Sequence, residues 1–265
     1  GEACSPYTIH WQDDSRALSV GTTQAVLASG LKRWFFLTPD YAWGQLMEAA
    51  ATRTIRENGG TVVGSLKFPL GISDYSSALL AAEASKAEVY ATGTVGNDTL
   101  NLLKQASEFH LAHGSARIVV FQIFLPEIHS LGLAQAQGLY VTDGFYWDKN
   151  EVTRAWSRAF FARHGKMPSK SQAYTYLSVM HYLKAVQSSG ADDAETVSRA
   201  MKSMPADDFG EQVRIRDNGR VMYDLALYEV KSPQQSKYPW DYYRFVRAIP
   251  AAVAFGGSDH DTCAR

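Results

Sequence analysis

The 265-residue chain carries 26 Lys and Arg against 27 Asp and Glu, a net charge of −1, with 46% hydrophobic and 20% charged residues. That balance leaves no basic surplus for nucleic acid, and the apolar content argues against a disordered chain. No apolar run approaches the ~18–20 residues that cross a bilayer as a helix, so direct membrane insertion is not expected.

The chain opens Gly-Glu-Ala-Cys without an initiating Met. It is therefore expected to be a processed product or a fragment, with any targeting segment outside it. Its two cysteines, Cys4 and Cys263, stand close to the two ends. Two readings are open for them. They are unrelated thiols, or they form a disulfide in an oxidising compartment, a closure that stabilises by roughly 5 kcal/mol in the chain-entropy model.

In chain order, "TIHW" is short and β-like, and Ser15 to Ser29 has a helical pattern ended by Gly30. "RWFFL" is a strand, followed by a helix over Gln45 to Glu57 that Asn58-Gly59-Gly60 closes. "TVVGSLKF", "AEVYAT", "ARIVVFQ" and "GLYVTDG" are further strands, separated by helices over Tyr75 to Ser85, Asp98 to Phe109 and Pro126 to Gly132. Five strands alternating with helices between residues 33 and 142 predict a parallel sheet wrapped by helices, one complete α/β lobe over 14–147.

After Trp147 the pattern changes. Glu151 to His164, Ser171 to Ser188 and Asp193 to Met204 are predicted helices, and "EQVRIRDNGRVMYDLALYEV" is predicted as one β-hairpin turning at Asp217-Asn218-Gly219. The aromatic tail "KYPWDYYRFVRAIP" is expected to pack on something. These helices have apolar positions, Val179, Leu183 and Val186 among them, with few strands left to cover them. A second sheet missing from this chain is the expected explanation.

In an open α/β sheet, ligands bind in the crevice outside the carboxyl ends of the strands. Three strand ends carry unusual residues here: Asp40, Tyr41 and Trp43 after the first strand, "ATGTVGNDT" after the third, and Gln122 and Phe124 in "FQIFLPE" after the fourth. Gly93 and Gly96 let the backbone approach a ligand, and Asn97 or Asp98 can cap the next helix. Free amides at helix N-termini favour a carboxylate, and large amphipathic rings such as Tyr41 and Trp43 supply contact area in a cleft. For any one loop, ordinary capping and packing is sufficient; three on one edge point to a pocket. Motifs for serine hydrolases, zinc peptidases, redox dithiols and phosphate-binding loops are absent. The densest ligating cluster, Asp259 to Cys263, is expected to be a solvated tail, with no metal. His10 is expected to be structural, and Asp13-Asp14 to cap the following helix.

The segments "WFFLTPDYAWG", "NGGTVVGSLKFPLGISDYSSAL", "GNDTLNLLKQASEFHL" and "LGLAQAQGLYVTDGFYWDKNEVTRAWSRAFFARHGKMPSKSQA" resemble the leucine/isoleucine/valine-type (type I) periplasmic solute-binding proteins of ABC transporters. "DFGEQVRIRDNGRVMYDLALYEVKSP" is similar to the family's late hairpin. The likeness covers nearly the whole chain and implies the type I fold, with residues 1–13 a remnant of a first lobe. Residues 148–265 then form the later helices, hairpin and tail of that incomplete lobe. Family members have roughly another hundred or more residues before the position of Cys4. The likeness is to a subgroup ending in a C-terminal cysteine, consistent with a Cys4–Cys263 pair.

By the same resemblance, Trp43 stands where a ligand-contacting aromatic is usual, and Thr94 lies on the loop after the third strand. Gln122 and Phe124 fall near a position often held by an acidic residue that pairs with an amino group. The segment Gln172-Ala173-Tyr174 resembles a helix start facing the cleft. The implied function is the solute-binding component of an importer. It takes up an amino acid, an aromatic or aliphatic acid, or an amide in the periplasm without a cofactor, and presents it to a membrane permease. Hinges are expected at Asp13-Asp14 and Trp147-Asp148. A ligand-sensing regulatory protein on the same fold is the alternative, and an α/β enzyme would need a nucleophile–base or metal constellation that the sequence does not display.

Overall fold

β1 (Arg33–Pro39) is buried at every position after Arg33, as the continuous run Trp-Phe-Phe-Leu demands of a strand covered on both faces. In the computed structural model, which describes residues 5–111 and 116–256, this strand is the second from one edge of a seven-stranded sheet. Cys4, Cys263 and the Asp259 to Cys263 cluster lie outside the described residues.

β2 (Thr61–Phe68), β3 (Val89–Thr92), β4 (Arg117–Val120) and β5 (Tyr140–Asp143) complete the parallel part, paired in the order β2-β1-β3-β4-β5. The crossovers contain α2 (Ala42–Glu57), α3 (Ser76–Ala84), α4 (Asn97–Glu108), and the short α5 (Leu125–Leu131) and α6 (Leu133–Ala136). The chain steps one way from β1 to β2 and the opposite way from β2 through β3, β4 and β5. Right-handed crossovers therefore put α2 on one face of the sheet and α3, α4 and α5 on the other. Ahead of β1, a π-helical turn at Ala17–Gly21 runs into α1 (Thr22–Leu27). The buried Thr22 hydroxyl donates to that of Thr142 at 2.8 Å, fastening this helix to β5.

The predicted single hairpin over 211–230 is corrected. Among the described residues β7 (Glu211–Ile215) pairs with β6 (Ala206–Asp208) and the two-residue β8 (Val221–Met222). The turn between β7 and β8 forms as expected, with Gly219 at φ +84° and its N–H donating to the Arg216 carbonyl. The chain then leaves that sheet, and β9 (Leu225–Val230) pairs antiparallel with β5. β10 (Tyr243–Ile249) adds outside β9, so the aromatic tail completes the large sheet. The physical reason is that β5 otherwise exposes a row of unpaired backbone groups along a buried apolar strand.

The chain divides into two compact units. One contains Asp14–Asp143 and Ala226–Ile249, the seven-stranded sheet and its helices. The other contains Gly1–Asp13, Gly144–Leu225 and Pro250–Arg265. It comprises α7 (Glu151–His164), α8 (Lys170–Ser189), α9 (Ala194–Ser203), the three short strands β6 to β8 and α10 (Ala251–Phe255). Each long helix here is capped as its sequence dictates. Asn150 and Asp193 accept from Thr153 and Thr196 N–H groups, Ser169 starts α8, and Gly165 and Gly190 take the left-handed conformation at the ends of α7 and α8.

The acidic pair before the first helix splits its duties. Asp14 accepts from the Ala17 N–H at 2.9 Å, a helix cap as expected. Asp13 does not cap; its carboxylate forms a buried ion pair with Lys170 at the start of α8. His10 is held structurally, its Nδ1 3.0 Å from the Arg220 guanidinium.

Candidate functional site

β1 and β3 are neighbours, yet the chain leaves them in opposite directions, to β2 and to β4. That is the switch point of this sheet. The helices following the two strands lie on opposite faces, and in open α/β sheets ligands bind beyond the strand ends at such a point. The loops there are Asp40 to Tyr41 before α2, Gly93 to Gly96 before α4 and, one strand along, Phe121 to Phe124 before α5. Six of the seven residues expected to contact a ligand, Tyr41, Trp43, Thr94, Asn97, Gln122 and Phe124, sit at the carboxyl ends of three adjacent strands. Tyr174 belongs to the other unit. There it is fully buried on α8, its ring 4.6 Å from that of Tyr223.

Within the rim the residues differ in what they offer. Tyr41 is the N-cap position of α2 and Trp43 its second residue; both are half-buried, with ring centroids 6.2 Å apart. The Trp43 ring lies over Gly93, where a Cβ would stand 3.5 Å from it, so this glycine receives the indole. Thr94 is wholly buried and its hydroxyl is used inside the protein. It accepts from Thr99 at 2.9 Å and neighbours Thr92 at 3.3 Å, which places Thr94 behind the rim as a support. Asn97 is exposed at the first turn of α4, and Gln122 and Phe124 are half-buried.

Neither Asn97 nor Asp98 caps α4. The N-cap is Gly96, at φ +59° and ψ −131°, a conformation open to glycine and strained for other residues. The first turns of α2 and α4 therefore both lack a side-chain cap at this edge and keep N–H groups directed outward, an arrangement favourable to an anion. By contrast, α5 is closed by Glu127, which accepts the Phe124 N–H at 2.7 Å. Burial pushes the Glu127 carboxyl up, against the lowering effect of that bond.

Asp98 has a different role, which the sequence reading missed. Its carboxylate accepts the Gly71 N–H at 3.0 Å and so fastens the β2–α3 loop to α4. Gln105 holds the same loop twice, donating to the Ser73 carbonyl and accepting from the Tyr75 N–H. Tyr75 is buried, and burial followed by the Asp98 charge pushes its phenol up to about 12. The same two causes raise Tyr41. Both phenols thus remain neutral donors at physiological pH. The signal for this hub lay in "GISDYS" and "GNDT" together, residues that only the fold brings into contact.

The turn that delivers Trp43 depends on Gly44. A Cβ there would lie 2.5 Å from the Pro39 carbonyl oxygen and 2.9 Å from the Pro39 ring. Gly44→Ala is expected to destabilise by about 1–3 kcal/mol through this overlap. Urea unfolding measures it, and unchanged stability would mean that the turn opens freely. Among the described residues, no group of three His, Cys, Asp or Glu is placed to hold a metal ion, and no helix is long and apolar enough to cross a membrane.

A family model described as periplasmic binding protein matches residues 1–237. A periplasmic binding protein from Burkholderia mallei is similar in structure at a TM-score of 0.86 and 43% identity, over 95% of this chain and 67% of that one. A branched-chain amino acid ABC transporter periplasmic ligand-binding protein from Burkholderia xenovorans LB400 matches at 0.91 and 36%, over 98% of this chain and 70% of its own. A solute-binding protein of an ABC transporter from R. palustris, solved in complex with benzoate, shares the fold at 0.80 and 16% identity. No curated protein sequence matches the chain.

Proposed function

We propose that this chain, which belongs to the periplasmic binding protein family, is the substrate-binding component of an ABC-type importer. It binds a small organic solute, without chemical conversion, and hands it to a membrane permease from the periplasmic side.

The observation that carries this reading is the switch-point rim. Two uncapped helix N-termini flank a half-buried indole and a neutral phenol on adjacent strand ends. Backbone N–H groups suit a carboxylate, the rings suit an apolar or aromatic body, and Gln122 and Asn97 add amide groups for orientation. The solute class is therefore a small carboxylic acid: an amino acid, or an aromatic or aliphatic acid, with amides the weaker class. Tyr41, Trp43, Asn97, Gln122 and Phe124 contact it from this unit, with Thr94 holding the loop. In the two-lobed protein the solute is held between the lobes and favours the closed state through its additional contacts there.

Isothermal titration of amino acids, aromatic acids and aliphatic acids into the protein, in a form that contains both lobes, tests the reading. Trp43→Ala is expected to weaken binding by about 1–3 kcal/mol, the value of a buried apolar contact of this size. An unchanged dissociation constant removes Trp43 from the site. Turnover of any of these compounds would replace binding by catalysis.

A further inference from the structure

The three rim loops, residues 40–44, 93–98 and 121–127, contain Asp40, Asp98 and Glu127 and no Lys, Arg or His. Two of these carboxylates serve their own turns. Asp40 is exposed and accepts from the Gln45 side chain at 2.7 Å, and Asp98 holds the Gly71 N–H. Glu127 is placed differently. Its Oε2 accepts the Phe124 N–H at 2.7 Å, which fixes the carboxylate at the rim end of α5. Among the described residues that amide is the one donor that reaches it, whereas an ionised carboxylate offers about four lone-pair sites. The group is half-buried, and burial raises its pKa by more than the single bond lowers it. A carboxylate drawn partly out of water with one donor gains from a second.

The sheet supplies a ruler. β4, which leads into Glu127, is one strand from β3 and two from β1. At about 4.8 Å per strand, Glu127 stands roughly 5–10 Å along the edge from the uncapped amides of α4 and α2. The amino and carboxylate groups of an α-amino acid are only about 3 Å apart, too close to reach both places. The span matches the two sides of a six-membered ring. The Tyr41 and Trp43 rings beside the switch point suit such an aromatic body.

We infer that Glu127 is a further specificity-determining residue, accepting a hydrogen bond from a donor on the far side of an aromatic acid. The solute is then a ring with a carboxylate at one end and an amino or hydroxyl group opposite. This rests on the reading of the rim as a carboxylate site and narrows its solute class. The acid end meets the backbone amides of α2 and α4, and the donor end meets Oε1 of Glu127. A plain aromatic acid leaves that oxygen without a donor, and an α-amino acid meets one anchor only.

Isothermal titration of benzoate, 4-aminobenzoate, 4-hydroxybenzoate and L-leucine into the two-lobed protein tests this. The 4-amino and 4-hydroxy acids are expected to bind about tenfold or more tightly than benzoate, the effect of one hydrogen bond to a charged group. Glu127→Gln keeps a side-chain oxygen for the Phe124 N–H and turns an NH2 group toward the solute, so the preference for 4-aminobenzoate over benzoate should shrink to less than about twofold. A variant that merely disturbed the loop would weaken both acids alike and preserve their ratio, and that result overturns the inference. So do equal affinities of the wild type for benzoate and its two derivatives. Leucine binding more tightly than every ring acid overturns it while leaving the rim a carboxylate site. Binding of none of the four removes that site, and the inference with it.

Discussion

Replacing Asp13 by alanine is expected to lower the stability of the chain by about 3–5 kcal/mol, the usual loss when one member of a buried ion pair is removed. Asp13 and Lys170 are 6% and 2% exposed at their side chains, so water cannot take over the abandoned charge. Lys170→Ala should be equally damaging. The pair itself is a different matter, since two desolvated charges gain little over well-packed apolar groups. Asp13→Leu combined with Lys170→Met should therefore recover most of the loss. Denaturant unfolding of the three variants checks this. Single losses below about 1 kcal/mol are the behaviour of a solvated pair and would rule out the buried one.

The second large effect is a pH dependence centred on Asp208. This carboxylate is 3% exposed at the end of β6, and among the described residues its Oδ2 has no hydrogen-bond partner. Burial, followed by a smaller opposing pull from Lys149 and then repulsion from Glu211, Asp207 and Asp224, leaves its pKa raised to about 7. Lys149 is itself drawn to Glu211 at 3.3 Å, which dilutes its help. The sign follows from linkage. Below the unfolded value of 3.8 both states hold the proton and the group makes no difference. Between there and about 7 the unfolded chain releases the proton and the folded one keeps it, so stability falls as pH rises. The accumulated penalty at pH 8 is roughly 4 kcal/mol. Asp208→Asn abolishes it. The variant should gain that much over the wild type between pH 4 and pH 8, while the contributions of all other titrating groups cancel in the difference. A difference that does not change with pH would show that Asp208 is ionised and solvated in the folded state.

Neither of these residues was legible as such in the sequence. Asp13 reads as a cap because it precedes a helix, but its partner is 157 positions away. Asp208 sits in "ADDFG", where nothing distinguishes the buried carboxylate from exposed Asp207. The five parallel strands were legible because each is a short β-rich run between helical stretches, and the rim followed from them, since parallel neighbours share an edge. Which side chains face outward on that edge was not. Thr94 turns inward because the Thr92 and Thr99 hydroxyls satisfy its own, a local choice that spacing does not encode.

The run from Val221 to Val230 shows another limit. It alternates well enough to continue a hairpin, yet breaks at Tyr223-Asp224, and its second half pairs with β5. Period-two patterning says that a segment is a strand, and is silent about which sheet receives it. The same ambiguity hid the destination of the aromatic tail, whose strand β10 lies beyond β9.

That late pairing has a consequence for how the protein is made. When Asp143 leaves the ribosome, four crossovers and five strands are ready to condense, but one edge of β5 waits for residues 226 to 230. At about 5–20 residues per second, the intervening Gly144–Leu225 segment takes roughly 4–16 s to synthesise. For that interval the nascent sheet presents a bare, adhesive margin, and a translational pause or stop codon just after residue 143 would leave it open to neighbouring chains.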